Sequence, residues 1–257
     1  MSQACYFISD LHLRQLDAPD ERLKQEHLRS FLRHLHGRAN QLFVVGDLFD
    51  FWFEYRSVVP RRGGRVLAEL ADLVDDGVSV VLFAGNHDWW IGRVLTEEYG
   101  LIVRRDPLRL EAQGKRLYLD HGDGLSVPSR SYDRVRGVLR HPWAIRAFRL
   151  VHPDWGAHVA RFINRGSHER EEGVSPAGKF VPVYERVAAQ AFAAGADIAV
   201  FGHVHAARIE ARQDGLLVVL GDWITHGTYG ELLEGVFRLK TWRGPDLPPW
   251  PSHRETP

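Results

Sequence analysis

Apolar residues in this chain gather into short runs that stop at Gly, Asp or Asn. Ala4–Ile8, Gln41–Val45, Val78–Phe83, Ile198–Phe201 and Leu216–Leu220 are such runs. Continuous apolar stretches of that length, bounded by turn residues, predict strands buried on both faces. Between them the period changes. In Glu21–His36, Leu23, His27, Leu28, Phe31, Leu32 and Leu35 recur at helical spacing with charges between, which predicts an amphipathic helix. Arg65–Asp76 reads as a second helix closed by Gly77, and Trp90–Glu98 as a short one ended at Gly100. Leu108–Ala112 and Arg116–Leu119 predict a hairpin turning at Gln113-Gly114. Tyr184–Ala194 predicts a helix capped near Gly195. Ala207–Ala211 pairs with Leu216–Leu220 through Asp214-Gly215, and Leu232–Lys240 is expected to close a sheet. Buried strands early and hairpins late predict an α/β chain of two mixed sheets, face to face, with helices outside.

One segment interrupts this order. Residues 126–182 interleave Trp143, Ile145, Phe148, Leu150, Trp155 and Phe162 with Arg130, Arg134, Arg140, Arg146, Arg149, Arg161 and Arg165. Pro142 and Pro153 divide the segment, so about three short helices are expected there. The division that follows is a sandwich from residues 1–125 and 183–243, a helical insertion at 126–182, and a Pro-rich tail at 244–257. Five prolines from Pro245 to Pro257 forbid regular structure in that tail, and loose order is expected.

Composition narrows the function classes. The chain has 257 residues, 44% of them hydrophobic and 26% charged, as in an ordinary globular protein. Lys+Arg and Asp+Glu balance at 33 each, so no global field draws the chain to nucleic acid. The single cysteine, Cys5, allows no internal disulfide and is expected as a small buried hydrophobe. Met1-Ser2-Gln3-Ala4 leads directly into a predicted strand, so no secretory leader is expected. No apolar stretch approaches the roughly 20 residues of a membrane span.

The polar residues that end the apolar runs carry the chemistry. They are Asp10 and His12, Asp47, Asn86 with His87 and Asp88, His121, and His203 with His205. Any one fragment alone reads more readily as a surface turn, a strand-end turn or alternating strand side chains. Together, Asp10, His12, Asp47, Asn86, His121, His203 and His205 supply two carboxylates, four imidazoles and one amide oxygen. That inventory exceeds one ion's ordinary coordination and suits two ions sharing a carboxylate. Mixed N/O ligation without thiolate favours Mn²⁺, Fe or Zn²⁺. Two such ions polarise a phosphoryl oxygen and acidify a water held between them. Other residues carry less. Trp52, Phe53 and Tyr55 are divided between lining a site and plugging a loop, with a slight lean to the site. Trp89-Trp90 reads as helix-start packing, Asp123 and Asp222 as turn caps, His226 as a loop histidine, and Glu169–Glu172 as solvated surface.

The D-x-H, G-D, G-N-H-D, H and G-H-x-H blocks, in this order from Tyr6 to Leu239, resemble the calcineurin-like metallophosphoesterase superfamily. The resemblance implies a four-layer αββα sandwich. It implies one divalent ion on Asp10, His12, Asp47 and His205, and another on Asp47, Asn86, His121 and His203, with Asp47 bridging. It places His87 beside the scissile phosphate as a catalytic group, with Asp88 orienting its imidazole. The flanks Gly46-Asp47-Leu48-Phe49-Asp50-Phe51-Trp52, His121-Gly122-Asp123-Gly124-Leu125 and Leu220-Gly221-Asp222-Trp223 are similar to the UDP-2,3-diacylglucosamine hydrolase family, within which His87 stands for Arg and Ser129 for Asp. That narrower resemblance implies cleavage of UDP-2,3-diacylglucosamine to UMP and 2,3-diacylglucosamine 1-phosphate in lipid A assembly. It implies substrate contacts at Asn86, His87, Tyr132 and His203, two metals with Mn²⁺ first and Fe or Zn²⁺ as alternatives, and a cytoplasmic protein resting peripherally on the anionic inner membrane through the insertion. Two alternatives remain: a phosphodiesterase or nucleotidase on a soluble substrate, and a non-catalytic binding module. The intact donor set speaks against the module, and the basic aromatic insertion against a soluble substrate.

Overall fold

The computed structural model describes residues 3–15, 17–123, 137–138, 140–153, 155 and 176–249. Its strands are β1 (Ala4–Ile8), β2 (Ala39–Val44), β3 (Ser79–Phe83), β4 (Ile102–Arg104), β5 (Leu108–Ala112), β6 (Lys115–Asp120), β7 (Ile198–Phe201), β8 (Arg208–Ala211), β9 (Leu216–Val219), β10 (Thr228–Leu233) and β11 (Val236–Thr241). Its helices are α1 (Pro19–Leu35), α2 (Gly64–Asp75), α3 (Val94–Glu97), α4 (Pro142–Phe148) and α5 (Pro176–Ala193).

The strands form two mixed sheets, ordered β11-β10-β1-β2-β3-β4 and β5-β6-β7-β9-β8. In the first, β1 to β4 run parallel and β10 joins β1 antiparallel. In the second, β7 is parallel to both neighbours, β6 and β9. Alternation along each strand explains the continuous apolar runs. Cys5 and Phe7 point between the sheets, where they meet Phe43, Leu117, Val200 and Val218. Tyr6 and Ile8 point the other way, onto Leu28, Phe31 and Leu70 from the first two helices. In β7, Val200 faces the inter-sheet core, while Ala199 and Phe201 pack under Tyr184 and Ala188 of α5. The result is helix, sheet, sheet, helix, as the sequence pattern and the resemblance both implied.

Four details differ from expectation. The single closing strand at Leu232–Lys240 is a hairpin of β10 and β11, turning where Glu234 and Gly235 take φ of 51° and 76°. Two successive left-handed residues make the tight turn that matches strand twist. β4 was not anticipated: it is three residues long and its first, Ile102, is 49% exposed, so it leaves no apolar run. α3 is a single turn, Val94–Glu97. α5 begins at Pro176, so the expected boundary at residues 182/183 falls inside a helix. Pro182 lies within that helix and does not end it.

Within the insertion, α4 begins with Pro142 in its first turn, and the side chain of His141 accepts from the N–H of Trp143. The other helices expected at 126–182 lie largely outside the described residues. Gly244–Pro249 has no regular structure, as expected, yet it is tied to α1 by His27, whose Nε2 is 2.9 Å from the Pro248 carbonyl. Cys5 is fully buried between the sheets, and burial pushes its thiol up to about 11. No helix among the described residues is long and apolar enough to cross a membrane.

Candidate metal centre

The C-terminal ends of β1, β2 and β3 in one sheet, and of β6 and β7 in the other, converge at one end of the sandwich. Backbone bonds lock their turns together. The N–H groups of Leu11 and His12 both donate to the Asp47 carbonyl at 2.9 Å, Gly202 donates to the His121 carbonyl at 3.1 Å, and Trp223 to that of Asp10 at 3.1 Å. The conformation required is strained. Six non-glycine residues have positive φ among the described residues, and four of them are Asp10 (54°), His12 (44°), Asp47 (51°) and His203 (67°). Left-handed backbone costs of order 1–3 kcal/mol per residue and persists where surrounding bonds over-determine it, commonly at functional sites. Gly46 and Gly85 let these turns approach. A Cβ on Gly46, where φ is 90°, would lie 2.1 Å from His121 Nδ1, and one on Gly85 would lie 2.0 Å from Asp47 Oδ1.

The candidate ligands fall into two groups joined by one carboxylate. Asp10 Oδ1 lies 3.7 Å from His12 Nε2 and 3.6 Å from His205 Nε2. Asp47 Oδ2 lies 3.7 Å from His12 Nε2 on one side and 3.3 Å from His121 Nε2 on the other. Asn86 Oδ1 is 3.3 Å from His121 Nε2, and the His121 and His203 rings are 5.3 Å apart. Donor atoms of Asp10, His12 and His205 lie within 4.8 Å of one another, as do those of Asp47, His121 and His203. These residues fit divalent cations. Asp10 Oδ1 is buried without a hydrogen-bond partner among the described residues, yet it faces two imidazole nitrogens at distances suited to a shared cation and too long for hydrogen bonds. Its other oxygen is satisfied, accepting from Ser9 Oγ at 2.6 Å and the His203 N–H at 2.8 Å.

Protein charges alone already prepare the donors. Burial drives His12 down to about 4, with the neighbouring His87 adding to the effect, and burial with His121 does the same for His203. Both imidazoles are therefore neutral near pH 7, with a lone pair to offer. Burial opposes ionisation of Asp47, but His121 and His87 outweigh it and hold the carboxyl well below its usual range. Burial likewise opposes ionisation of Asp10, but the facing imidazoles of His12 and His205 bring it to about 2. His121 moves up despite burial, because Asp47 faces it. Its Nδ1 is held at 2.8 Å by the Val45 carbonyl.

His87 lies inside this cluster. Its ring packs edge-on to His12 at 4.6 Å, and its main-chain N–H donates to Asp47 Oδ1 at 2.9 Å. Asp50 faces its imidazole. His87 Nδ1 is 3.2 Å from the Asp50 carbonyl and 3.5 Å from its carboxylate. The Asp88 carboxylate instead accepts the N–H groups of Gly85 at 2.8 Å and Phe49 at 3.2 Å, bracing the β3 turn. Burial and the charge of Asp47 push Asp88 up to about 7. In the sequence, Ser9 and Asp50 stand only as flanking residues of the Asp10 and Asp47 blocks, with no role read for them. The available signal was their place beside Asp10 and in the loop after Asp47.

The remaining residues sort plainly. Trp52 and Phe53 are buried, Trp52 stacking on Phe49 at 4.2 Å, so they plug the loop more than they line a site. Trp90 packs on Phe148 of α4 at 5.1 Å, and Trp89 lies under the Arg140 guanidinium at 3.6 Å. Arg140 also pairs with Asp123. Asp222 caps the N–H groups of Ile224, Thr225 and His226. Tyr132, Ser129 and Glu169–Glu172 lie outside the described residues.

Residues 5–207 match the calcineurin-like phosphoesterase family. A UDP-2,3-diacylglucosamine hydrolase of Porphyromonas gingivalis is 34% identical over 245 residues, covering 89% of this chain and 94% of the relative. The enzyme of that name from Neisseria meningitidis serogroup B is 32% identical, covering 89% and 92%. That from Pseudomonas savastanoi pv. phaseolicola is 31% identical, covering 91% and 94%. The chain belongs to the calcineurin-like phosphoesterase family and is a metal-dependent hydrolase. Within that family its sequence is similar, over nearly its whole length, to the hydrolases of UDP-2,3-diacylglucosamine.

Because one Asp47 oxygen faces both ligand groups, Asp47→Ala is expected to lower bound metal at both positions and hydrolysis by several orders of magnitude, with circular dichroism unchanged. Near-normal turnover with full metal content by elemental analysis would overturn the shared-carboxylate geometry.

Proposed function

We propose that this chain hydrolyses the diphosphate of UDP-2,3-diacylglucosamine, giving UMP and 2,3-diacylglucosamine 1-phosphate, as a step of lipid A biosynthesis. The reading rests on the seven-residue donor set joined at Asp47, taken with relatives of that name matched over nearly their whole length. Asp10, His12, Asp47 and His205 would hold one divalent ion, and Asp47, Asn86, His121 and His203 a second, with Mn²⁺ the first candidate and Fe or Zn²⁺ the others. When bound, such ions supply Lewis-acid polarisation of the phosphoryl oxygen and acidify the attacking water.

The chain's own side chains do the rest. Asn86, His203 and Tyr132 bind the diphosphate and its sugar. His87, with its Nδ1 N–H on the Asp50 carbonyl, donates through Nε2 to the phosphoryl oxygens in its protonated form as charge builds there. The insertion at 126–182 binds acyl chains and rests on the cytoplasmic face of the inner membrane. Its α4 seats Phe148 on Phe53 at 4.7 Å, while Trp143 and Leu150 are 69% and 89% exposed beside Arg146 and Arg149. Exposed aromatic and basic side chains together suit an anionic lipid surface, at about 1 kcal/mol per charge near it. A soluble substrate has little use for that surface, and nucleic acid is not an expected partner.

His87→Ala is expected to lower kcat about 10²–10³-fold, the usual loss for a donor to a developing oxyanion, at unchanged metal content. Parallel loss of metal and rate would instead make His87 a ligand. Turnover in ¹⁸O-labelled water should leave the label in UMP, and label in the sugar phosphate would reverse the assigned phosphorus. Sedimentation with vesicles containing phosphatidylglycerol should fall as salt rises, because the Debye length shortens to about 8 Å at physiological ionic strength. Absence of binding at low salt would remove the membrane part of the reading.

A further inference from the structure

Beneath the first ligand turn lies a charged pair that the proposed chemistry does not use. Lys24 and Glu21 of α1 are 5% and 1% exposed, and Lys24 Nζ is 2.9 Å from Glu21 Oε2. Lys24 Nζ also donates to the His12 carbonyl at 2.7 Å. Glu21 accepts the Arg14 N–H at 3.2 Å and Arg14 Nε at 3.0 Å. One turn of α1 thus holds the carbonyl of residue 12 and the amide of residue 14. From the opposite side, the N–H groups of His12 and Leu13 are held by the carbonyls of Asp47 and Leu48 at 2.9 and 3.0 Å. His12 is therefore gripped on both sides at a φ of 44°, a conformation it would otherwise leave.

A buried ion pair is weak evidence of a stability device, since apolar replacements of similar volume are often neutral or stabilising. Here the pair is aimed at main-chain groups next to a ligand. We propose that Lys24 and Glu21 are positioning residues for the ion on Asp10, His12, Asp47 and His205, fixing the direction in which the His12 ring is presented. The other group does not touch the pair: the Val45 carbonyl holds the His121 ring. Loss of the pair should therefore weaken one ion and spare the other. This inference rests on the two-ion reading.

The test is Mn²⁺ binding by calorimetry and electron paramagnetic resonance on the full chain. Wild type should bind two ions and give the spectrum of a coupled pair, and a wild type that binds fewer fails the two-ion reading itself. In Lys24→Met, one binding step should weaken about 10–100-fold, the range for groups that orient metal ligands, while the other stays at its wild-type value. The coupled spectrum should then give way to that of isolated Mn²⁺ at sub-saturating metal. Lys24→Gln keeps a donor within reach of the His12 carbonyl and should restore most of the lost affinity. If Lys24→Met does not fold, Glu21→Gln/Lys24→Met removes both buried charges together and takes its place. A folded variant that binds both ions as wild type does, or that loses both equally, overturns the proposal. So does a chain that cannot fold without the pair, which would make it a stability element.

Discussion

The structure turns on two carboxylates taken out of water. Asp10 and Asp47 are 0% and 1% exposed, beneath the ends of strands that are apolar on both faces. An ionised carboxylate in such a place is costly unless charges and donors surround it. The chain surrounds these two with imidazoles at 3.3–3.7 Å and with N–H and O–H donors at 2.6–2.9 Å. A cation held there would complete the compensation for Asp10 Oδ1, which has no hydrogen-bond partner among the described residues. The glycines before Asp47 and Asn86, the left-handed backbone at four of the site residues, and the bonds tying β1 to the β2 turn all serve to crowd donors around these two groups.

That constraint explains what could be read in advance. A strand buried on both faces leaves a continuous apolar run, and the residue that ends it must be the one the site uses. Phe201 to His203 and Val44 to Asp47 are therefore legible once the fragments are taken together. β4 and the β10–β11 turn were not, because a half-exposed three-residue strand carries no run and Glu234-Gly235 sits inside an otherwise strand-like stretch. The orientation of side chains beyond the ligands was also hidden. Asp88 follows His87 in sequence, which suggests a dyad, but the β3 turn aims it at the Gly85 and Phe49 amides. Asp50 lies 37 residues from His87 and meets it only because the β2 and β3 turns converge. Lys24 likewise gains its contact with His12 only when α1 folds back across the sheet.

The electrostatics divide the ligands by role. His12 and His203 are held neutral by burial and by neighbouring imidazoles, so each presents a lone pair. His121 is pushed the other way by Asp47 and must give up that proton for its Nε2 to serve as a ligand. A metal on Nε2 of His121 would therefore displace a proton, while one on His12 would not.

Among the described residues, the segment after residue 126 meets this end of the sandwich at two places. Phe148 packs into the aromatic cluster of Phe51, Phe53 and Trp90. Arg140 stacks on Trp89 and pairs with Asp123. Trp89 is three residues beyond Asn86, and Asp123 two beyond His121, so Arg140 bridges the turns that carry two candidate ligands. The charge on Asp123 also bears on His121 and His203, and the Arg140 guanidinium partly cancels it. Displacing Arg140 would therefore change the field at the second ligand group as well as uncover Trp89. The segment that varies most from a bare sandwich is, by this route, electrostatically continuous with the part that is most constrained.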